Sequence, residues 1–352
     1  MTAQIPSIHV YEKTTQIINR PGMASKIALI GAFDSAETDP QLFMSVGEAQ
    51  TALGTSTDFK GCTVIEPLFY GASSLLCVNI NVRTTSDNVT TDDKTLTTAK
   101  LTAALAKIKG EDFDILFIAE TLTDTFLPII DTFLDECFEM KCPAGFVGVI
   151  NGGTTAANVT SAGLCGDHCY GILTQSFKVS GKSYSLLKSG AYYCGVIAGM
   201  NVGNTMTQKR VPYITKISPE YTFENSSDGS SLVGAGITIL KCQDRSSDRF
   251  VVVNSEQPNG YDLYVNRVRD YVVKEMSLHQ FLGERNRQAT LSEIEHELSG
   301  VREKCVNDLD LLEDINYSVE KKDANTVNVY IDSLLFAGII TRIDVYVRLE
   351  VE

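Results

Sequence analysis

The sequence predicts a mainly parallel α/β domain, followed by an α+β C-terminal region, with an extended strand arm at each end of the chain. Three observations carry this prediction. Short apolar runs alternate with helical patterns over residues 26–150, as in a parallel sheet covered on both faces. Residues 256–341 combine an amphipathic helical stripe with alternating strand patterns. Residues 1–20 and 342–352 each contain a strand pattern of their own.

Length and composition bound the class of protein. At 352 residues the chain exceeds what one core usually supports, so more than one domain is expected. Its 43% hydrophobic and 21% charged residues are ordinary for a globular protein. The sequence contains no signal peptide pattern and no apolar run near the roughly 18 residues of a membrane helix, which predicts a soluble protein made in the cytoplasm without membrane insertion. The predicted segments are residues 1–20, 21–255, 256–341 and 342–352.

The net charge is −14, which argues against nucleic acid as the main partner. Phosphate backbones are bound by basic surfaces, and a chain this acidic offers no overall basic footprint. Solubility is the simplest explanation of the charge. Nucleic acid is therefore not among the predicted partners.

Apolar strand runs and helical patterns alternate in the α/β domain. Ser45 precedes one helical pattern as its N-cap, with Glu48 three residues further on. A Thr/Asp-rich stretch over residues 84–93 is predicted to be a loop. The strand runs cover residues 26–32, 75–80, 114–119 and 145–150, and the helices cover 45–53, 94–108 and 124–139.

An α/β sheet raises the possibility of an enzyme, but the expected motifs are absent from the sequence. The first strand is followed by Gly31 alone, where a dinucleotide fingerprint needs three glycines. Gly152 and Gly153 follow the fourth strand without a basic residue that could meet a phosphate, which favours a plain loop. No P-loop or nucleophile-elbow motif occurs and the four histidines are scattered. We predict no catalytic residues and no cofactor.

Nine cysteines are spread along the chain, several of them inside apolar runs, as expected of reduced thiols in a cytosol. The one cluster of metal-ligand types is Cys165, His168 and Cys169. No second Cys or His pair follows at the spacing of a zinc site. No metal is therefore predicted.

The C-terminal arm has strict alternation over ten residues, which is the period of a half-buried β-strand about 33 Å long. Burying its five aliphatic side chains contributes roughly 8–15 kcal/mol. Ordering ten residues costs roughly 10–20 kcal/mol, so this strand needs a sheet edge, in its own molecule or a neighbour's. The N-terminal arm, before the turn at Pro21 and Gly22, is too short to fold alone. The apolar arm residues are Ile8, Val10 and Tyr11 at the start of the chain and Ile343, Val345, Val347, Leu349 and Val351 at its end.

Sequence patterns before the C-terminal arm predict one helix and one strand. Thr290 and Glu293 form a capping box at the start of the helix. Val327, Val329 and Ile331 alternate along a strand over residues 325–331. The segment after that strand is too long and too apolar for a tight hairpin, and we expect it to pack on an apolar surface in its own domain or on a partner. The apolar stripe of the helix is Leu291, Ile294, Leu298, Val301 and Cys305.

Four features in order resemble the contractile tail sheath proteins of phages and R-type bacteriocins, which are phage-tail-like particles. A helix with the sequence SGAYYCGVIAGM leads to a segment marked by Pro212, followed by LVGAGITIL. A strand over residues 249–254 and a helix containing VNRVRDYV come next. The resemblance covers residues 185–352 and matches the earlier α/β portion in layout only.

The resemblance implies a structural role in which subunits form hexameric rings stacked as a helical sheath around an inner tube. Baseplate and tail-terminator proteins would be further partners. Residues 7–13 and 342–351 would each add a strand to a neighbour's sheet, the acceptor being the sheet that contains residues 325–331. Contraction would drive the tube through a target cell envelope. The sheath would assemble in the bacterial cytoplasm and leave in a released phage tail or bacteriocin particle.

Alternatives remain open from the sequence alone. A non-contractile baseplate or shell protein would share the strand exchange without the lattice change, and an α/β enzyme would carry ligand chemistry at its strand ends. The acidic C-terminal region either lines the lumen of the sheath and contacts the tube, or faces solvent.

Overall fold

A computed structural model describes residues 25–86, 89–140, 142–151, 166–223, 228–276, 278–281, 284–323 and 326–337. Its α-helices are α1 (Val46–Leu53), α2 (Lys60–Leu68), α3 (Thr98–Ile108), α4 (Leu127–Glu139), α5 (Leu186–Ala198), α6 (Asp228–Gly234), α7 (Leu263–Glu275) and α8 (Gln288–Glu303). A 3₁₀ turn (Leu278–Phe281) precedes α8, and a π turn (Lys304–Asp308) follows it.

The strands are β1 (Lys26–Gly31), β2 (Gln41–Phe43), β3 (Ser74–Asn79), β4 (Val82–Ser86), β5 (Val89–Asp93), β6 (Ile115–Leu122), β7 (Gly145–Ile150) and β8 (Cys169–Leu173). They continue as β9 (Ser176–Val179), β10 (Lys182–Ser183), β11 (Ile214–Ser218), β12 (Leu240–Asp244), β13 (Arg249–Val252), β14 (Asp314–Lys321) and β15 (Val327–Leu335).

A six-stranded central sheet organises the first part of the chain, in the order β2-β3-β1-β6-β7-β8. All of its pairings are parallel except that of the edge strand β2 with β3. In β1, Ile27 pairs with Leu75 on one side and with Ile115 on the other. The parallel sheet predicted from alternating apolar runs and helical patterns is confirmed, as are its four predicted strands.

Helices cover both faces of this sheet, as predicted. Successive residues of a strand point to opposite faces. In β8, the Tyr170 hydroxyl donates to Asp270 of α7, whereas Gly171 packs against Tyr193 of α5. Helix α2 packs with α5, and α3 contacts β1 and β3. The predicted helices α1, α3 and α4 are present, and Ser45 caps α1 by accepting from the Glu48 N–H.

Small residues bring α5 close to α2. A Cβ atom added at Gly195 would lie 2.6 Å from the carbonyl oxygen of Pro67, which is closer than a real side chain can approach. The small residues of this helix therefore permit close approach of the two backbones. The helix ends at Gly199, whose N–H donates to the Gly195 carbonyl at 3.1 Å.

The Thr/Asp-rich stretch predicted to be a loop is instead the hairpin β4–β5, so that prediction is wrong. Threonine is β-branched and favours strands, and its hydroxyl can bond across a ladder. Here the hydroxyls of Thr84 and Thr91 lie 2.8 Å apart. Arg83 forms an ion pair across the hairpin with Asp92 and a second one with Asp34, which follows β1 and holds the hairpin at the end of the central sheet.

Three smaller sheets complete the described strands. β9 pairs with β10 and β11, β12 pairs with β13, and β14 pairs with β15. Sequence patterns had indicated the strand that became β13 and the start of β15, but not the strand β14 that pairs with β15. The strand predicted over residues 325–331 continues to Leu335, and residues 338–341 of the segment after it lie outside the described residues.

Helix α8 starts differently from its prediction. It begins at Gln288, and its N-cap residue Arg287 makes no side-chain capping bond. The Thr290 hydroxyl donates back to the Arg285 carbonyl at 2.8 Å, so the predicted capping box is wrong. The apolar stripe of this helix is confirmed, since all five of its members are buried.

The buried apolar residues of the described part of the chain form two hydrophobic cores. The first fills both faces of the central sheet and extends to Leu263 at the start of α7. The second begins with the next residue, Tyr264, and joins the rest of α7 to α8 and the β14–β15 hairpin. The domain boundary predicted at residues 255–256 stays a prediction, because the cores meet within α7 and are not separated by a linker.

Candidate functional site: the β14–β15 hairpin

The hairpin that contains the predicted acceptor strand is a two-stranded antiparallel sheet. Its register runs from Asp314 opposite Leu335 to Lys321 opposite Val327. A bulge at Asp332 interrupts the ladder between the pairs of Asn316 and Tyr317. Bulges bend and twist a strand, so β15 changes direction before it ends.

One face of the hairpin packs on the second core. Ile315 is 3% exposed, whereas the predicted acceptor residues Val327, Val329 and Ile331 are only half-buried. The Tyr317 hydroxyl donates to the Glu295 carbonyl of α8 at 3.2 Å. A two-stranded hairpin is marginally stable by itself, and this one depends on α8 for its support.

The opposite face is polar. The Asn316 side-chain amide donates to the Ser333 hydroxyl at 2.8 Å across the strands. The Asn328 amide donates to the Tyr330 hydroxyl at 2.7 Å, and Tyr330 is 44% exposed. The hairpin therefore has one polar and one apolar face, as is typical of an antiparallel sheet that is solvated on one side.

The outer edge of β15 has no partner strand within the described ranges. At the turn, the Lys322 N–H donates to the Thr326 carbonyl at 3.1 Å. In an antiparallel ladder, residue pairs whose backbone N–H and C=O groups bond to each other alternate with pairs whose N–H and C=O groups point away from the partner strand. Counting from this turn, the outward positions of β15 are Val327, Val329 and Ile331. The side chains of these three residues therefore pack on the second core, while their backbone N–H and C=O groups point toward the unpaired edge of β15.

Polar contacts hold the turn end and the base of the hairpin. The Asn286 amide donates to the Asp323 carbonyl at 2.9 Å, and the Lys321 ammonium group donates to the Asn286 carbonyl at 3.1 Å. At the base, Arg302 Nε lies 2.6 Å from an Asp314 carboxyl oxygen. This guanidinium hydrogen bond lowers the pKa of Asp314, with a further contribution from the Ile315 N–H.

The chain after β15 is held against α7. The Tyr264 hydroxyl donates to the Ala337 carbonyl at 2.6 Å. The ring of Phe336 meets that of Tyr264 edge-on, with centroids 5.6 Å apart. Ala337 is the last residue that the structure describes, and Tyr264 holds it against α7.

A buried polar network ties α7 to the rest of the molecule. The fully buried Arg267 guanidinium donates to the carbonyls of Ile197, Met200 and Asn201 at 3.1, 2.9 and 3.2 Å. These are carbonyls at the end of α5, where a positive charge is favourable. Because α7 also carries the second core, Arg267 joins the hairpin region to the central sheet.

The cysteine–histidine cluster belongs to this network. His168 lies with Nδ1 3.2 Å from Arg269 and Nε2 3.3 Å from Asp135. Cys169 is fully buried in β8, and burial raises the pKa of its thiol to about 12. Cys165 lies outside the described residues. Across the part of the chain that the structure describes, no three His, Cys, Asp or Glu side chains group as a metal site.

The structure places three of the predicted subunit-linking residues together, Val327, Val329 and Ile331. The predicted arm residues Ile8, Val10, Tyr11, Ile343, Val345, Val347, Leu349 and Val351 lie outside the described residues. Sequence analysis missed the pairing strand β14, although its sequence alternates apolar and polar residues from Ile315 to Glu320. That signal would have identified it. Tyr264 and Arg267 gave no signal, because their roles depend on distant carbonyls.

Searches of known proteins place the fold. No family model and no curated protein matches the sequence. Among solved structures, the sheath tail protein from Desulfitobacterium hafniense is 12% identical, with a TM-score of 0.68 over 94% of this chain and 99% of that one. The sheath tail protein Lin1278 from Listeria innocua is 11% identical, with a TM-score of 0.65 over 90% and 95%.

A third match is the helical sheath of the anti-feeding prophage in its contracted state. It is 11% identical, with a TM-score of 0.64 over 99% of both chains. Each of these proteins is similar to this chain along nearly its whole length, including the α/β portion whose sequence matched in layout only. The described residues hold no helix long and apolar enough to cross a membrane. The chain thus has the fold of tail sheath proteins.

Proposed function

We propose that the chain is the structural subunit of a contractile tail sheath, which polymerises around an inner tube and contracts to drive that tube through a target cell envelope. The observation that carries the proposal is the open edge of β15, on a hairpin whose apolar residues are half-buried. The full-length similarity to sheath proteins supports it. In this role the chain would form hexameric rings stacked as a helical sheath. Its partners would be an inner tube, a baseplate and a tail terminator.

Strand exchange would link the subunits. The hairpin has two outer edges, one on β14 and one on β15, and the sequence predicts two strand arms. We propose that residues 7–13 and 342–351 of neighbouring subunits add to these edges. Main-chain hydrogen bonds would supply the affinity, and the apolar face of each added strand would cover the half-buried side chains of the hairpin.

Such links suit a lattice that changes its geometry. A main-chain ladder keeps two subunits connected while their rigid parts rotate and slide. Contraction would be a switch between a metastable extended lattice and a wider one of lower energy, with the exchanged strands preserved. No nucleotide hydrolysis is required. The particle would assemble in the bacterial cytoplasm and be released as a phage tail or a bacteriocin.

Negative-stain microscopy of the purified chain tests the assembly. We expect hollow striated cylinders or stacked rings, and deletion of residues 342–352 should abolish them. Thr85→Ala, at an exposed position of β4, serves as a control that leaves both arms intact. If the chain lacking residues 342–352 assembles as well as the wild type, the strand-donor role is wrong.

A substitution at the open edge tests the acceptor. Val329→Pro replaces an outward N–H with a ring carbon, so it should block strand addition while the hairpin keeps its own ladder. Val329→Thr has the same shape and keeps the N–H, and serves as the matched control. Val319→Pro applies the same test to the edge of β14. Cylinders formed normally by Val329→Pro would exclude the β15 edge as acceptor.

A non-contractile baseplate or shell protein is the second candidate. The anti-feeding prophage baseplate in its contracted state matches with 12% identity and a TM-score of 0.61 over 99% of both chains. Cylinders that occur in a long and a short, wider form would favour the sheath, whereas discrete rings of one geometry would favour this candidate. A non-enzymatic role is supported in either case, since two sheath tail proteins and the anti-feeding prophage sheath match nearly the whole of both chains with TM-scores of 0.68, 0.65 and 0.64.

A further inference from the structure

A basic stretch interrupts the otherwise acidic chain. Residues 169–219 contain no Asp or Glu, yet they include six Lys and Arg. Two of these lysines, Lys178 and Lys216, are exposed on the same face of the small sheet β10-β9-β11 and are called the lysine face below. Its buried side, with Phe177 and Ile217, packs toward the first core.

The two members of the lysine face are direct neighbours. Lys178 of β9 lies opposite Lys216 of β11 in the antiparallel register. Like charges directly opposite each other destabilise a sheet. No carboxylate of the described residues forms an ion pair with Lys178, Lys182 or Lys216. The face is therefore strained electrostatically in the isolated chain, and an anionic partner would relieve it.

The same chain carries a surface of opposite charge. A groove of about 520 Å³ lies between the 3₁₀ turn and α8. Its charged and apolar lining residues, called the acidic groove below, are Phe281, Glu284, Glu293, His296 and Glu297. Among the residues that the structure describes, none of its three carboxylates has an ion-pair partner. A lysine side chain suits such a groove, because its stem can pack on an aromatic ring while its ammonium group meets carboxylates.

The two charged surfaces lie on different sides of the central sheet. The lysine face is attached to α5, where the Phe177 N–H donates to Ser189 at 2.7 Å. The acidic groove belongs to the second core, which α7 carries on the face opposite α5. A contact between two different surfaces of one chain is heterologous, and it propagates into rings or helical filaments.

We propose that the lysine face of one subunit docks on the acidic groove of a second copy of this chain. Lys178 and Lys216 would enter the groove beside Phe281 and meet Glu293 and Glu297. This rigid contact is separate from the exchanged strands and rests in part on the proposed sheath function. Because it is made by folded surfaces rather than by arms, it is a contact that a lattice change can form or break.

Charge reversal tests the contact in the full-length chain. We expect Lys178→Glu/Lys216→Glu to raise the protein concentration needed for cylinder assembly by about tenfold or more, and Glu293→Lys/Glu297→Lys to do the same. Each variant retains one native surface, and the reversed surfaces of the two variants are complementary to each other. An equimolar mixture should therefore assemble with the two variants alternating. Lys107→Glu/Lys109→Glu, at the C-terminal end of α3, imposes the same charge change away from both surfaces. It also removes ion pairs with Asp39 and Glu136, but should leave the concentration needed for assembly unchanged.

The outcomes separate this contact from the sheath function. Wild-type cylinders with unaltered assembly of both reversal variants would overturn the contact and leave the sheath proposal standing. Salt-sensitive self-association that the reversals abolish and the mixture restores, without any cylinders, would support the contact and contradict the sheath. If reversal of the acidic groove only stops copurification of an inner tube, the groove serves the tube and the contact is wrong.

Discussion

The central sheet and the β14–β15 hairpin use the same kinds of aliphatic residues in different surroundings. In β1, Ile27, Leu29 and Ile30 are fully buried between two neighbouring strands and two layers of helices. In β15, Val327 and Val329 have one neighbouring strand and remain half-buried. Within the described residues, one region is completed by contacts in the chain itself, whereas the other has an unpaired strand edge and an apolar face that is only half-buried.

The largest difference in unfolding free energy is expected when an aliphatic side chain is truncated in the central sheet and, for comparison, in the hairpin. Leu29→Ala should lower the free energy of unfolding by about 3–5 kcal/mol, because it leaves a cavity in a fully packed core. Val329→Ala should lower it by only about 1 kcal/mol in the unassembled chain, because the side chain is half-exposed there. Urea denaturation at low protein concentration measures both.

Leu42→Ala is the control for this comparison, since Leu42 is 59% exposed in the edge strand β2. It should change the unfolding free energy by less than about 0.5 kcal/mol. Equal losses for Leu29→Ala and Val329→Ala would show that the hairpin is already complete within one chain.

A smaller effect is expected where the two regions join. Arg267→Met keeps an unbranched apolar stem but removes the donors to three carbonyls at the end of α5. We expect a loss of about 2–4 kcal/mol in the free energy of unfolding, because hydrogen bonds to a buried charge are lost together. Burial lowers the pKa of Arg267 to about 10, which leaves the side chain charged at neutral pH.

Arg249→Met provides the matched control, because Arg249 is an exposed arginine at the start of β13. Thermal unfolding followed by circular dichroism compares the two variants. Similar melting temperatures would mean that Arg267 does not link the hairpin region to the central sheet.

The smallest effect concerns the base of the hairpin. The Arg302 guanidinium lowers the pKa of Asp314, so the folded state favours the carboxylate. Its contribution to stability is therefore present above the unfolded pKa of about 3.9 and is lost as pH falls through the lower folded value. Arg302→Gln should raise the pKa of Asp314 toward its usual value, as followed by carboxyl NMR. Arg287→Gln, at the other end of α8, should leave it unchanged, and an unchanged value in Arg302→Gln would contradict this assignment.

The sequence predicts those helices and strands whose formation depends on a residue pattern within the segment itself. The apolar runs of β1, β3, β6 and β7 and the stripe of α8 are local patterns, and the sequence predicts all of them. The predicted capping box at Thr290 is wrong because the N-cap is Arg287, which makes no side-chain capping bond. The polarity of the Thr/Asp-rich stretch predicts a loop, but the branching of its threonines and their cross-strand bonds decide for a hairpin.

The candidate site was predictable in part. Alternation identified Val327, Val329 and Ile331, but not which strand they pair with or which way their peptide groups point. Those properties follow from the register with β14 and from one hydrogen bond at the turn. Arg267 looked like one charged residue on an amphipathic helix, because nothing in its neighbourhood along the chain indicates the carbonyls that it meets.

The sequence by itself determined the alternation of strands and helices and the apolar stripes that must be buried. Each of these depends on the period of side chains along one segment, which is independent of distant residues. Only the tertiary structure decided that β14 completes the hairpin, that Arg267 closes the end of α5 and that Lys178 faces Lys216. These are contacts between segments far apart in the chain, and their register and charge environment exist only once those segments pack together.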